Sequence, residues 1–157
     1  VSPLLNALSA QSIHATFFLS AETAKDQPHI IRSIVNSGHH VGLLIRKPQY
    51  PHFTLQEAEE SLLSSRPWLT QAAGQPVMMV RFINGQNSRK MSQSDAQANA
   101  QFNRFLKNQG LASIDWDIDS QDWKLRDPEK LLTHIVSELK SKKSGIVRFQ
   151  EISERIT

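Results

Sequence analysis

The sequence predicts an α/β fold built on parallel strands, on three observations. Strand-like apolar runs recur about every thirty residues, at 13–19, 41–45, 77–83, 111–117 and 146–149. Stretches with helical periodicity fill the gaps between them. The runs are nearly continuously apolar instead of alternating, as in strands covered on both faces. With no linker composition inside it, this β-α-β-α pattern fits one layered architecture, either a barrel or an open doubly wound sheet. At 157 residues and 17.8 kDa the chain has the length of one domain, so residues 1–157 are read as a single domain.

Each element has a local reason. The first run, IHATFFL, precedes a helix begun by Pro28 and carrying Ile30, Ile31, Ile34 and Val35, with Gly38 placed to end it. After VGLLI at 41–45, the string Thr54-Leu-Gln-Glu57 is a capping box. Leu55, Ala58, Leu62, Leu63 and Leu69 form the apolar stripe behind it. The third run, VMMVRFI, leads to a helix over residues 92–109 with Phe102, Phe105 and Leu106 inside it and Gly110 just past its end. After the fourth run, LASIDWD, Asp127-Pro128-Glu129 supplies an N-cap, an N1 proline and a first-turn acid. Leu131, Leu132, Ile135, Val136 and Leu139 follow as the buried stripe, and IVRF at 146–149 closes the series.

Composition excludes several classes. With 39% hydrophobic and 21% charged residues the chain is globular, neither collagenous nor disordered. The longest uncharged apolar run, 41–45, is far shorter than the roughly 18 residues of a membrane helix. Without cysteine there is no disulfide, thiolate nucleophile or Cys-ligated zinc, and secreted and reducing compartments fit equally. The net charge of +3 is mild, and Arg46-Lys47, Arg89-Lys90 and Lys140 to Lys143 are short groups without interleaved aromatics. They read as solvated faces, which does not favour nucleic acid. The first residue is Val1, as expected of a processed product or part of a longer protein.

In parallel α/β folds chemistry sits at the carboxyl ends of the strands. The residues there are Ser20, Glu22 and Thr23; Arg46, Lys47, Gln49 and Tyr50; Arg81 and Asn84-Gly85; Asp117, Asp119, Asp122 and Trp123; and Arg148, Gln150 and Glu151. Carboxylates concentrate behind the fourth run.

These residues carry a resemblance. Residues 15–42, ATFFLSAETAKDQPHIIRSIVNSGHHVG, resemble the polysaccharide deacetylase family, the carbohydrate esterases related to chitin, peptidoglycan and chitooligosaccharide deacetylases. Residues 116–132, WDIDSQDWKLRDPEKLL, are similar to that family's Asp-x-x-Asp-Trp motif and the helix after it. The resemblance implies a distorted (β/α) barrel of about seven parallel strands, the first and last lying outside this chain. It also implies a glycan partner containing N-acetylglucosamine, an extracellular, periplasmic or cell-wall setting, and metal-dependent removal of N-acetyl groups.

Against the family's five catalytic motifs the chain departs at the reactive positions. The Asp-Asp motif that supplies the base and one metal ligand would precede Val1. Where the family has His-x-x-x-His gripping a divalent metal, Leu44 and Pro48 stand, and Arg46-Lys47 beside them would repel a dication. His52 is a lone imidazole nearby. The Arg-Pro-Pro-Tyr-Gly motif reads Arg81-Phe82-Ile83-Asn84-Gly85, keeping the Arg that orients the base but replacing the oxyanion-hole Tyr by Asn84. The fourth motif is intact: the resemblance pairs Asp122 with Arg81 and sets Trp123 as a wall of the acetyl pocket, with Asp119 and Asn84 beside it as substrate contacts. Leu-x-His, whose His is the general acid, becomes Arg148-Phe149-Gln150, and Gln150 cannot exchange protons near neutral pH.

A plainer reading stands beside each. Arg81 with Asp122 also fits a structural ion pair, Trp116 and Trp123 fit rim aromatics, and His39-His40 fits local packing at a helix-to-strand corner. His14, His29 and His134 are assigned nothing. Three functions therefore remain: a catalytically degenerate deacetylase domain that at most holds glycan, with no metal or cofactor; an active deacetylase whose zinc site is completed outside this chain; and a non-enzymatic interaction module with protein or nucleic acid.

Overall fold

The computed structural model describes residues 2–46, 54–83, 85 and 93–150. They divide into two compact units at the Ile114–Asp115 bond. The first holds α1 (Ser2–Ala10), β1 (Thr16–Leu19), α2 (Ala21–Asp26), α3 (Pro28–Asn36), β2 (His40–Ile45), α4 (Leu55–Ala73), β3 (Met79–Phe82), α5 (Gln93–Asn108) and β4 (Ala112–Ser113). Its four strands form one parallel sheet in the order β1-β2-β3-β4. The second unit holds β5 (Ile118–Asp119), α6 (Pro128–Lys142) and β6 (Val147–Arg148), with β5 and β6 paired in parallel. The fold is α/β with parallel strands throughout, six of them among the described residues.

The fourth apolar run is not one strand. The Ile114 N–H still donates to the Val80 carbonyl, continuing the first sheet. From Asp117 the donors change partner: the Asp117 and Ile118 N–H groups both go to the Ile146 carbonyl, at 3.0 and 3.1 Å. That switch of acceptor ends β4 and starts β5.

Sheet register sorts the side chains. Phe18 stands opposite Gly42 and Leu44 opposite Arg81, so these four share one face of the first sheet. The other face carries Val41, Leu43, Ile45, Val80 and Phe82, all buried. Ile31 and Ile34 of α3, Leu62 and Leu69 of α4, and Phe102 and Leu106 of α5 join them in one core. Phe82 and Phe102 meet at 5.9 Å between ring centroids. The face expected to be covered like its opposite is covered less: Phe18, Leu44 and Arg81 are half-buried.

The helix starts follow their caps. The Thr54 hydroxyl accepts from the Glu57 N–H at 3.3 Å, and Glu57 Oε2 accepts from the Thr54 N–H at 2.6 Å. Asp127 Oδ1 accepts from the Glu129 and Lys130 N–H groups with Pro128 at the first position. Gly38 (φ 80°) and Gly110 (φ 68°) end α3 and α5 in the left-handed region that glycine enters without strain. Two helices were not anticipated, α1 and α2. The signal for α2 was Ser20, whose hydroxyl accepts from the Thr23 N–H at 3.3 Å.

Two stripes are narrower than their periodicity suggests. Leu63 is 50% exposed beside the exposed Pro67, whose missing N–H leaves the Leu63 carbonyl unpaired within the helix. On α6 Leu131, Ile135 and Leu139 are half-buried, whereas Leu132 and Val136 are 63% and 38% exposed.

Arg66 ties α4 to two other elements. Its Nε donates to the Val77 carbonyl at 3.1 Å and its Nη1 to the Gln109 carbonyl at 3.2 Å, while Nη2 lies 3.7 Å from Met78 Sδ. Arg66→Ala is expected to destabilise the chain by about 1–3 kcal/mol, because two carbonyls lose charged donors. Arg66→Lys should restore less than half, since an ammonium cannot span both acceptors. Urea unfolding decides: a loss below about 0.5 kcal/mol for Arg66→Ala would remove the clamp from the account.

The Thr54 backbone N–H, then the Thr54 hydroxyl, hold the Glu57 carboxyl below the ordinary glutamate range. A depressed folded value means the contribution is present above the unfolded value of about 4.3 and is lost as pH falls through the folded value. Glu57→Gln should therefore flatten the loss of thermal stability on acidification below about pH 4.3. An unchanged pH profile would overturn this.

Candidate functional site

In the first unit, the side chain of Arg81 crosses the open face of the sheet. Its guanidinium carbon lies 4.3 Å from the centroid of the Phe18 ring, and its Nε donates to the Ile114 carbonyl at 3.4 Å. The Phe18 ring in turn lies over Gly42. A Cβ at position 42 would come within 2.5 and 2.7 Å of two ring carbons. The absence of a side chain at 42 is what lets Phe18 lie flat enough to carry Arg81.

At the carboxyl ends of β1 and β2 stand Ser20, Glu22 and the exposed Arg46. The Ser20 hydroxyl, followed by the Glu22 N–H, holds the Glu22 carboxyl below its ordinary value, and Lys25 and Arg46 add to this against a small desolvation. His39 is buried, 3% exposed, with Nδ1 accepting from the Ala15 N–H at 3.4 Å and its ring 5.5 Å from Phe17. His14 donates to the Gly38 carbonyl at 2.9 Å. Both imidazoles serve the corner between α3 and the β1–β2 edge. Asn84, Lys47, Pro48, Gln49, Tyr50, His52, Arg89 and Lys90 lie outside the described residues.

The second unit gathers Asp119, Asp122, Trp123 and Gln150. The Asp122 carboxylate accepts from the Trp123 N–H through Oδ1 at 3.0 Å and from the Gln150 N–H through Oδ2 at 2.7 Å. Its own N–H donates to the hydroxyl of Ser120, which is fully buried. Asp119 Oδ1 accepts from the Gln121 N–H at 3.1 Å. Gln121 sits at φ 58°, a left-handed conformation that costs a non-glycine residue about 1 kcal/mol or more. Trp123 is 47% exposed. The loop is therefore a backbone cage built by side chains, holding an indole at the surface.

His134, to which the sequence assigned nothing, belongs to this cage. Its Nε2 donates to the Asp119 carbonyl at 3.0 Å from α6. Arg81 lies in the first unit and Asp122 in the second.

The family model for polysaccharide deacetylase matches residues 1–103. The chain belongs to the polysaccharide deacetylase family. It is 25% identical over 126 residues to a peptidoglycan-N-acetylglucosamine deacetylase of Bacillus cereus, covering 77% of this chain and 40% of that protein. It is 27% identical over 121 residues to a chitooligosaccharide deacetylase of Sinorhizobium fredii, covering 76% of this chain and 52% of that protein. The chain thus spans about half or less of the curated relatives it matches. Among solved structures, the catalytic domain of a peptidoglycan N-acetylglucosamine deacetylase from Eubacterium rectale superposes with a TM-score of 0.74 at 21% identity, over 97% of this chain and 72% of that one. A CE4 family pseudoenzyme from Bacillus anthracis gives 0.66 at 20%, over 92% and 47%. These likenesses establish the fold.

The polysaccharide deacetylase scaffold raises the question of a metal. Among the described residues no group of three or more His, Asp or Glu side chains is placed to hold one. Leu44, at a position where the family resemblance expects an imidazole, offers no lone pair. The described donor set does not fit a divalent ion.

Gly42→Ala should destabilise the chain by about 1–3 kcal/mol through overpacking against Phe18. In the same chain Phe18→Leu should recover part of that loss, giving a non-additive double mutant in denaturant unfolding. Simple additivity would show that the ring and position 42 do not meet.

Proposed function

We propose that this chain is a polysaccharide deacetylase-like domain that holds a glycan containing N-acetylglucosamine without hydrolysing it. The observation that carries the reading is Leu44: an aliphatic side chain in β2, opposite Arg81 in the register, where a metal-gripping imidazole would stand. Gln150 supports it as well. Its N–H is tied to Asp122, and its amide has no proton to give near neutral pH, so no general acid stands at that position. Turnover by the family chemistry requires both a Lewis acid and a proton donor.

What remains suits holding. Trp123 presents an indole face of the kind on which sugar rings stack, and Asp119 of the same unit is the expected polar contact. Asp122 positions the loop that carries this indole, accepting from the Trp123 and Gln150 N–H groups. The relatives are named for peptidoglycan and chitooligosaccharide, which supports an extracellular or cell-wall setting. No described helix is long and apolar enough to cross a membrane. The fold tolerates such a loss, since one structural neighbour is itself described as a pseudoenzyme.

Calorimetric titration tests both halves. Zinc added to the chelator-stripped protein should show no one-to-one binding, whereas an N-acetylglucosamine tetramer should bind and remain acetylated. Trp123→Ala should weaken that binding at least about tenfold with an unchanged thermal midpoint, as loss of a stacking aromatic does. Tight stoichiometric zinc binding together with acetate release would establish instead an active deacetylase completed outside these residues. Failure of the tetramer to bind would leave an interaction module.

A further inference from the structure

Arg148 stands out in the second unit because its charge is held but not spent. Its guanidinium carbon lies 4.3 Å from the centroid of the Trp116 ring, and Nη2 donates to Gln150 Oε1 at 3.1 Å. Stacking fixes the plane of the fork, and the amide pins one corner. The carboxylates closest in sequence to β5 are turned elsewhere. Asp117 Oδ2 accepts from the Ile146 N–H, Asp119 Oδ1 from the Gln121 N–H, and both Asp122 oxygens from backbone N–H groups. Among the described residues none of them forms an ion pair with Arg148, although Asp119 is its partner in the β5–β6 register. Arg148 is half-buried on β6, and the Nε and Nη1 edge of its fork has no described partner.

The geometry points to Arg148 as an anchor for a carboxylate borne by the bound glycan, a uronic acid or a lactyl ether on an amino sugar. This rests on the glycan-holding reading above and adds a charge to its ligand. A planar fork with two parallel N–H groups matches the two oxygens of a carboxylate. A phosphate group, carrying about −1.5 to −2 near neutral pH, would bring a larger negative charge up to Asp119, the register partner of Arg148, so the single charge of a carboxylate is the better match.

The test compares two tetramers of equal length by calorimetry on the full chain: neutral N-acetylglucosamine, and the same oligomer with one lactyl-ether carboxylate. The acidic oligomer should bind about tenfold tighter, the effect of one charge-assisted hydrogen-bonded pair. Arg148→Leu should erase that advantage while keeping the affinity for the neutral oligomer. Arg148→Lys, which keeps the charge without the fork, should retain only a part and serves as the deciding variant if the leucine form does not fold. Equal affinities of the two oligomers would overturn the anchor and leave the glycan reading standing. Binding of neither would overturn both, and an advantage that survives Arg148→Leu would place the carboxylate elsewhere.

Discussion

The first unit is organised around a stack three groups deep: the bare backbone of Gly42, the ring of Phe18 over it, and the guanidinium of Arg81 over the ring. Each layer depends on the one below. A ring lifted by a methyl at 42 could not stay under Arg81, which would lose the aromatic face that its guanidinium rests on. The same register that makes this stack places Val41, Leu43, Ile45, Val80 and Phe82 on the opposite face, where they form the core with α3, α4 and α5. One alternation thus decides both where apolar area leaves water and where a cation is displayed.

The second unit solves a different problem, holding an irregular loop between β5 and α6 with Ile118 as its one buried large apolar side chain among the described residues. It does so with polar side chains aimed at backbone groups. Ser120, Asp119 and Asp122 receive N–H groups, His134 gives to a carbonyl, and Gln121 takes the strained conformation that the turn requires. α6 contributes no fully buried residue, so hydrogen bonds carry a larger share of the ordering here than in the first unit.

Much of this was legible. The capping box at Thr54, the Asp127-Pro128 start, the glycines at 38 and 110 and the positions of the main strands are local signals, and local geometry obeys them. The Asp-x-x-Asp-Trp string marked the loop. What was not legible depends on partners distant in the chain. The fourth apolar run looks uniform, but whether its N–H groups pair with Val80 or with Ile146 is settled only when both acceptors are in place. The outward face of α6 reads as core because periodicity counts apolar residues and not the area available to cover them. His134 looked isolated because its acceptor, the Asp119 carbonyl, is a backbone atom that any residue would supply.

The cage around Asp122 bears on how a motif should be interpreted. Both oxygens of Asp122 accept backbone N–H groups, and replacing it would release the Trp123 and Gln150 amides to solvent at once. Ser120 and Asp119 are committed in the same way. Such residues shape the loop, whatever the loop does, so an intact Asp-x-x-Asp-Trp string speaks for the fold before it speaks for hydrolysis. Leu44 is the opposite case. It is half-buried and makes no side-chain hydrogen bond, so the fold constrains its identity less than it does that of Asp122. Where scaffold constraint is weak, the identity of the side chain follows chemistry more than packing, and the glycan-holding proposal rests on that contrast.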